Sequence, residues 1–179
     1  MLTLTLTQPY ATLVAIGAKQ IETRSWYSSV RDDILIHAAT TYAGVGGKNA
    51  FIELCTSNEY IYKALNDAGL VPFEWDPEAL LALPTGAILC KRTMVDCYRT
   101  ALFVSAEQQA RRVSRMDDPS HIPLSDQERA MGDYSHGRYG FILKGTDRFA
   151  TPIPARGKLG FWTYEGLLPT EVIHASQPV

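Results

Sequence analysis

Cysteine is scarce in this chain: among 179 residues there are three, Cys55, Cys90 and Cys97, with no CxxC pair. That excludes a disulfide framework and offers no zinc-ligand spacing, so the thiols read as small buried hydrophobes. Histidine is equally thin. His37, His121, His136 and His174 lack the HxxxH or ExxH spacing that sets two ligands on one helical face. Neither a metal nor a cofactor is expected. Positive charge is not in excess either, with 17 Lys and Arg against 19 Asp and Glu. A protein held to nucleic acid by its overall field is normally basic, so any contact with a polyanion must be local. No apolar run reaches the ~20 residues that cross a bilayer, and no basic segment followed by an apolar one opens the chain. These absences lead us to expect a cytoplasmic protein with no membrane partner.

What is present is an ordinary globular composition, 46% hydrophobic and 20% charged, which fits one domain with a sizeable core. Within it, Lys19-Gln20-Ile21-Glu22-Thr23-Arg24-Ser25-Trp26 packs three ionisable side chains and a tryptophan into a short span. If Ile21 to Ser25 is extended, Glu22 and Arg24 share one face while Ile21 and Thr23 take the other. Lys19 enters from the preceding turn. A carboxylate between two cations can bind a polar ligand through charge-assisted hydrogen bonds, the Glu orienting the Arg fork or accepting a proton. The same pattern also suits a surface strand whose ion pair contributes about 0 to 1 kcal/mol.

Around this stretch, Met1 to Thr7 alternates Leu and Thr, which predicts a strand burying Leu2, Leu4 and Leu6 and exposing the threonines. Pro9 suits the first turn of a helix through Leu13, Val14 and Ile16, closed by Gly17, whose missing side chain leaves room for a ligand. Ile34-Leu35-Ile36-His37-Ala38 reads as a buried strand with His37 a satisfied core residue, and Gly86 to Val95 as another. Gly44 to Lys48 lacks the spacing of a phosphate loop and reads as a loop before a helix. Lys48 to Ala68 predicts one interrupted helix or two, and Asp76-Pro77-Glu78 the capped start of another.

Tyr98 to Leu124 is polar and irregular, with Arg111, Arg112 and Arg115 in a helical piece, and reads as a solvated insertion or a lid. Ser125 to Glu128 has capping-box spacing, opening a short helix that Gly132 closes. Tyr134, Arg138 and Tyr139 then lead into a strand from Phe141 to Lys144. Rings and a guanidinium beside a strand suit stacking on a planar ligand, and equally a packed strand start. Thr151 to Trp162 is a proline-stiffened connection in which Arg156 and Lys158 are candidate phosphate contacts or a solvated turn. Beyond Glu165 the pattern is weak, so 166–179 reads as a loosely held tail after a single domain over 1–165.

Three segments carry a family resemblance. They are Gln8-Pro9 with Gly17, Lys19, Glu22, Arg24, Ser25 and Trp26; Ile34 to Ala38; and Glu128-Arg129-Ala130 with Gly132-Asp133-Tyr134-Ser135 and Gly137-Arg138-Tyr139, continued by Pro152, Pro154, Arg156 and Gly157. On these the chain resembles the ASCH domain family. The resemblance implies an α+β fold, mainly β, built as a PUA-like small mixed β-barrel with peripheral short helices. It also implies a cleft lined by the GxKxxExR segment that binds RNA or a nucleotide, with Lys19, Arg24, Trp26, Arg31, Tyr134, Arg138, Tyr139 and Arg156 as the binding residues.

The chain departs from the family pattern in having Arg31-Asp32 where relatives read Arg-Gly, and His136 where they read Pro. Some members resemble ribonucleases, and one branch consists of amidohydrolases that use a Lys and a Thr three residues later. Here Glu22 stands at that offset, so the alternative is a hydrolase acting on RNA or a modified nucleoside, with Glu22 as general base and Lys19 and Arg24 stabilising the oxyanion.

Overall fold

Strand alternation, helix caps and two long bulged strands account for most of the architecture. The computed structural model describes residues 1–105 and 121–174. Strand β1 (Leu2–Leu6) buries Leu4 and Leu6 as the alternation predicts, but Thr3 is buried as well. The reason is its place in the sheet: β1 runs parallel to β3 (Asp33–Ala38) on one side and antiparallel to β8 (Phe161–Thr163) on the other. Thr3 is the register partner of Leu35 and Trp162, and those two belong to an apolar cluster with Ile88 and Phe149 that covers the outer face.

The same double covering makes β3 continuous in apolar residues. Ile34 and Ile36 face the main core, Leu35 the outer cluster. His37 is fully buried with Nε2 3.0 Å from the Ala155 carbonyl oxygen, a core histidine as the sequence suggests but satisfied at one ring nitrogen, since Nδ1 has no hydrogen-bond partner among the described residues. Burial holds its pKa below the ordinary 6.5. The unfolded chain therefore binds the proton more readily, and stability is complete above about pH 6.5 and declines as the pH falls through the folded value. Glu128, whose carboxyl burial pushes up, carries the opposite sign: it removes stability as the pH rises above the ordinary glutamate range. Denaturation measured at several pH values should thus show His37→Gln losing the acid-side decline that the parent shows below pH ~6.5. An identical pH profile in the two proteins would refute this.

Helix α1 (Tyr10–Ala15) follows Pro9 and ends where Gly17 takes φ 80°. The expected interrupted helix is two, α2 (Lys48–Ser57) and α3 (Glu59–Asp67), divided at Asn58, whose side chain accepts from Ile61 N at 3.3 Å. Asp76 caps α4 (Pro77–Leu81) through Glu78 N at 2.9 Å. These helices close over a second core of Leu13, Phe51, Ile61, Leu65, Leu80 and Met131.

The remaining strands of the main sheet are β2 (Ile21–Arg24), β4 (Ala87–Arg99), β7 (Tyr139–Pro154) and β9 (Val172–His174). The order is β2-β7-β4-β3-β1-β8, with β9 also on β7. Strands β4 and β7 run well past the lengths read from their apolar runs, because their outer halves are polar on the solvent side. Register shifts between Ile88 and Cys90, Lys91 and Thr93, and Met94 and Asp96 mark bulges that bend the ribbon.

The bend curls the sheet into a half-barrel of PUA-like form. Its far edges approach each other: Arg24 Nη2 on β2 donates to the Thr5 carbonyl on β1 at 2.6 Å. Trp26 stands edge-on to Phe141 and Phe161, with ring centroids 5.1 and 5.5 Å away. Part of the segment read as a tail is strand, since Val172 to His174 pair with Asp147 to Phe149 of β7. Strands β5 (Phe103–Ser105) and β6 (Ile122–Leu124) form a separate parallel pair. Arg111, Arg112 and Arg115, and with them the reading of the insertion, lie outside the described residues.

Candidate functional site

The turn after Gly17 delivers Lys19 into the interior, where its backbone N–H donates to the Leu13 carbonyl at 3.1 Å. The side chain is 1% exposed. Its ammonium donates to the Ile21 carbonyl, lies 4.0 Å from Glu22 Oε2 and sits 5.9 Å from the centre of the Tyr10 ring. Glu22 Oε1 is 3.2 Å from Arg24 Nε, so the carboxylate stands between two cations on one face of β2, as the spacing predicts.

The opposite wall comes from the link between helix α5 (Asp126–Ala130) and β7. Asp133 N donates to Thr23 Oγ1 at 3.2 Å, and Arg138 Nη2 donates to the Thr23 carbonyl at 3.2 Å. Arg138 Nε lies 3.2 Å from Asp133 Oδ2. Hydrogen bonds from Ser135, with the Arg138 guanidinium nearby, hold the Asp133 carboxyl below its ordinary range. Gly132 is required by close approach, since a Cβ there would fall 2.7 Å from Tyr134 Cε2 and 3.3 Å from Lys19 Nζ.

Between these walls lies a cavity of about 740 Å³. It brings together Lys19, Glu22, Arg24 and Arg138, joined by Asp133 and by Lys158 from the turn before β8. A second cavity of similar size, about 700 Å³, lies beside α2 and α3 and has only Glu59 and Lys63 as charged lining. The chemistry therefore favours the first. Among the described residues no group of three or more His, Cys, Asp or Glu is placed to hold a metal ion, and no helix is long and apolar enough to cross a membrane.

The other residues singled out from the sequence lie elsewhere. Trp26 packs into the main core against Phe141 and Phe161 and does not line the cavity. Tyr134 stands behind Gly132, edge-on to Phe103 at 5.6 Å, with its hydroxyl pKa raised by burial and by Glu128. Arg31 pairs with Asp96 at 2.7 Å, Tyr139 meets Tyr27 and Arg99, and Arg156 is exposed outside the cavity. Gly17 shapes the turn and is not among the residues that line the cavity. Thr23, expected on the face opposite Glu22, borders the cavity with its hydroxyl engaged by Asp133.

Sequence reasoning missed two acidic residues. Asp133 sits inside the third resemblance segment, and Arg138, whose guanidinium pairs with its carboxylate, follows five residues on. Glu128 stands in the capping box and in the third resemblance segment, neither of which points its side chain inward. Ser125 Oγ does accept from Glu128 N at 3.1 Å, but the Glu128 carboxylate turns inward to accept from Gln20 N. Burial raises its pKa against the opposing field of Lys19.

No curated protein matches this chain. The family model of the ASCH domain matches residues 4–146, so the chain belongs to the ASCH family, a PUA-like group generally taken to bind RNA.

Proposed function

We propose that the cavity between β2 and the α5–β7 link holds one nucleotide, free or within RNA. The observation that carries this reading is Lys19. A buried ammonium has three donors, and here one goes to the Ile21 carbonyl while Glu22, at 4.0 Å, is beyond hydrogen-bond length. Spare donor capacity held out of bulk water is costly unless an acceptor from a ligand takes it up. Arg24, Arg138 and Lys158 outnumber Glu22 and Asp133 around the same cavity, which gives a locally cationic site in a chain of net charge -2. The volume of about 740 Å³ suits a nucleotide.

Titration with nucleoside monophosphates and short single-stranded RNA at several salt concentrations tests the reading. Because the charge is local, the logarithm of affinity should fall with that of salt at a slope of only about one to three. Arg138→Gln should flatten it by about one. A slope near zero would reject phosphate-led binding.

A hydrolytic reading has one observation in its favour, the placement of Glu22 between Lys19 and Arg24 at the cavity wall. In that reading Glu22 takes a proton from water while the cations stabilise the developing oxyanion. Incubation with RNA and with acylated nucleosides should then give product, and Glu22→Gln should abolish turnover while binding persists. Undiminished product from Glu22→Gln would remove the proposed base.

A further inference from the structure

Two residues outside the cavity continue a row that starts at its wall. Arg24 of β2, Tyr139 of β7 and Arg99 of β4 are register partners across adjacent strands, so their side chains leave the same face of the sheet in one row. The first member lines the cavity. The Arg99 guanidinium lies over the Tyr139 ring, 5.9 Å from its centre, and makes no ion pair among the described residues. Tyr27 meets Tyr139 edge to face at 5.8 Å and 67°. Tyr27 as a residue is 56% exposed, although an aromatic of this size is normally half-buried or better. Arg31, tied to Asp96, lies against the Tyr27 hydroxyl. The exposed ring is thus braced on two sides, beside a cation that has no ion pair among the described residues.

We propose that this row is a stacking platform for the nucleotide adjoining the one in the cavity, so that the ligand is a single strand of linked nucleotides and not a free mononucleotide. The inference rests on the cavity reading above and deepens it. A braced aromatic loses little entropy when a base lies on it, and every base presents a π-face, so the subsite takes any neighbour. Arg99 supplies the charge that the intervening phosphate needs, and the register from Arg24 to Tyr139 to Arg99 makes the path continuous from the cavity.

The test compares nucleoside monophosphates with the homotetraribonucleotides of the same bases, by calorimetry on the full chain. The best tetramer should bind at least ~10-fold tighter than its monophosphate, and Tyr27→Ala should remove most of that gain while leaving monophosphate affinity within about twofold. Tyr27→Phe should retain the gain, and Arg99→Gln should reduce the tetramer salt slope by about one. Equal affinity of tetramer and monophosphate would overturn the platform and leave the cavity reading standing. Tetramer binding sensitive to Tyr27→Ala but indifferent to loss of the Lys19 charge would overturn the cavity reading instead. An acidic peptide binding this face in place of RNA, or no binding by any of these probes, would overturn the platform.

Discussion

Lys19→Met is expected to weaken nucleotide binding by about 100-fold or more while the protein melts within a few degrees of the parent. The two halves of this expectation have different physical origins. Affinity falls because a charge-assisted hydrogen bond made away from water, once lost, costs about 2 to 5 kcal/mol when the ligand's own charge is left unpaired. The fold survives because Met has nearly the length and shape of the Lys stem, and burying a thioether avoids the desolvation that an ammonium suffers there. What is lost on the protein side is the bond to the Ile21 carbonyl. What is left behind is Glu22, which keeps Arg24 at 3.2 Å.

Lys19→Arg should not rescue binding. The guanidinium is larger than the ammonium, and even a Cβ on Gly132 would stand 3.3 Å from Lys19 Nζ. Calorimetric titration of nucleoside monophosphates together with thermal melts checks both halves. Unchanged affinity in a folded Lys19→Met would show that the cavity is not the site.

The legible part of this molecule is the part set by neighbours in sequence. The Leu/Thr alternation of β1, the apolar run of β3, the Asn58 and Asp76 caps and the shared face of Glu22 and Arg24 all follow from periods of two residues or from single-turn chemistry. Whether an aromatic packs or faces a ligand is set by what the sheet lays over it from afar. Trp26 is one of the binding residues expected from the sequence, yet the curl brings Phe141 and Phe161 against it. Tyr27 carries no motif signal and is an exposed ring. Alternation predicts a solvent-facing Thr3 because it alone cannot reveal that Leu35, Ile88 and Trp162 cover the other face. That Lys19, Glu22 and Arg24 border one cavity with Arg138 follows only from the fold. The hydrogen bond from Asp133 to Thr23 that joins the walls spans 110 positions.

Arg92→Met is expected to lower stability by about 3 kcal/mol, which in a domain of this size is a fall in Tm of roughly 10 °C. Arg92 is 3% exposed and its fork holds three elements together. Nη1 donates to the Val14 carbonyl at the end of α1 at 2.8 Å and to Thr146 Oγ1 at 2.7 Å; Nη2 donates to the Leu143 carbonyl on β7 at 3.0 Å. Burial lowers its pKa, a measure of what solvation it has given up. Truncation leaves the Leu143 oxygen without that donor in the interior, while Val14 retains only the longer bond from Gly17 N at 3.2 Å.

The counter-argument is that a buried guanidinium can cost more in desolvation than its bonds return, as with ion pairs that well-packed apolar residues replace at no loss. Arg92 differs because two of its three partners, the Val14 and Leu143 oxygens, are backbone carbonyls, which no side-chain replacement can remove. A second consequence separates this residue from Lys19. The turn that carries Lys19 runs from the clamped end of α1 to Gln20, whose carbonyl accepts from Leu143 N at 2.8 Å. Loosening the clamp should therefore weaken nucleotide binding together with stability, where Lys19→Met weakens binding alone. Urea denaturation and titration well below Tm resolve the two effects, and an Arg92→Met protein as stable as the parent would show that desolvation of the guanidinium cancels everything it binds.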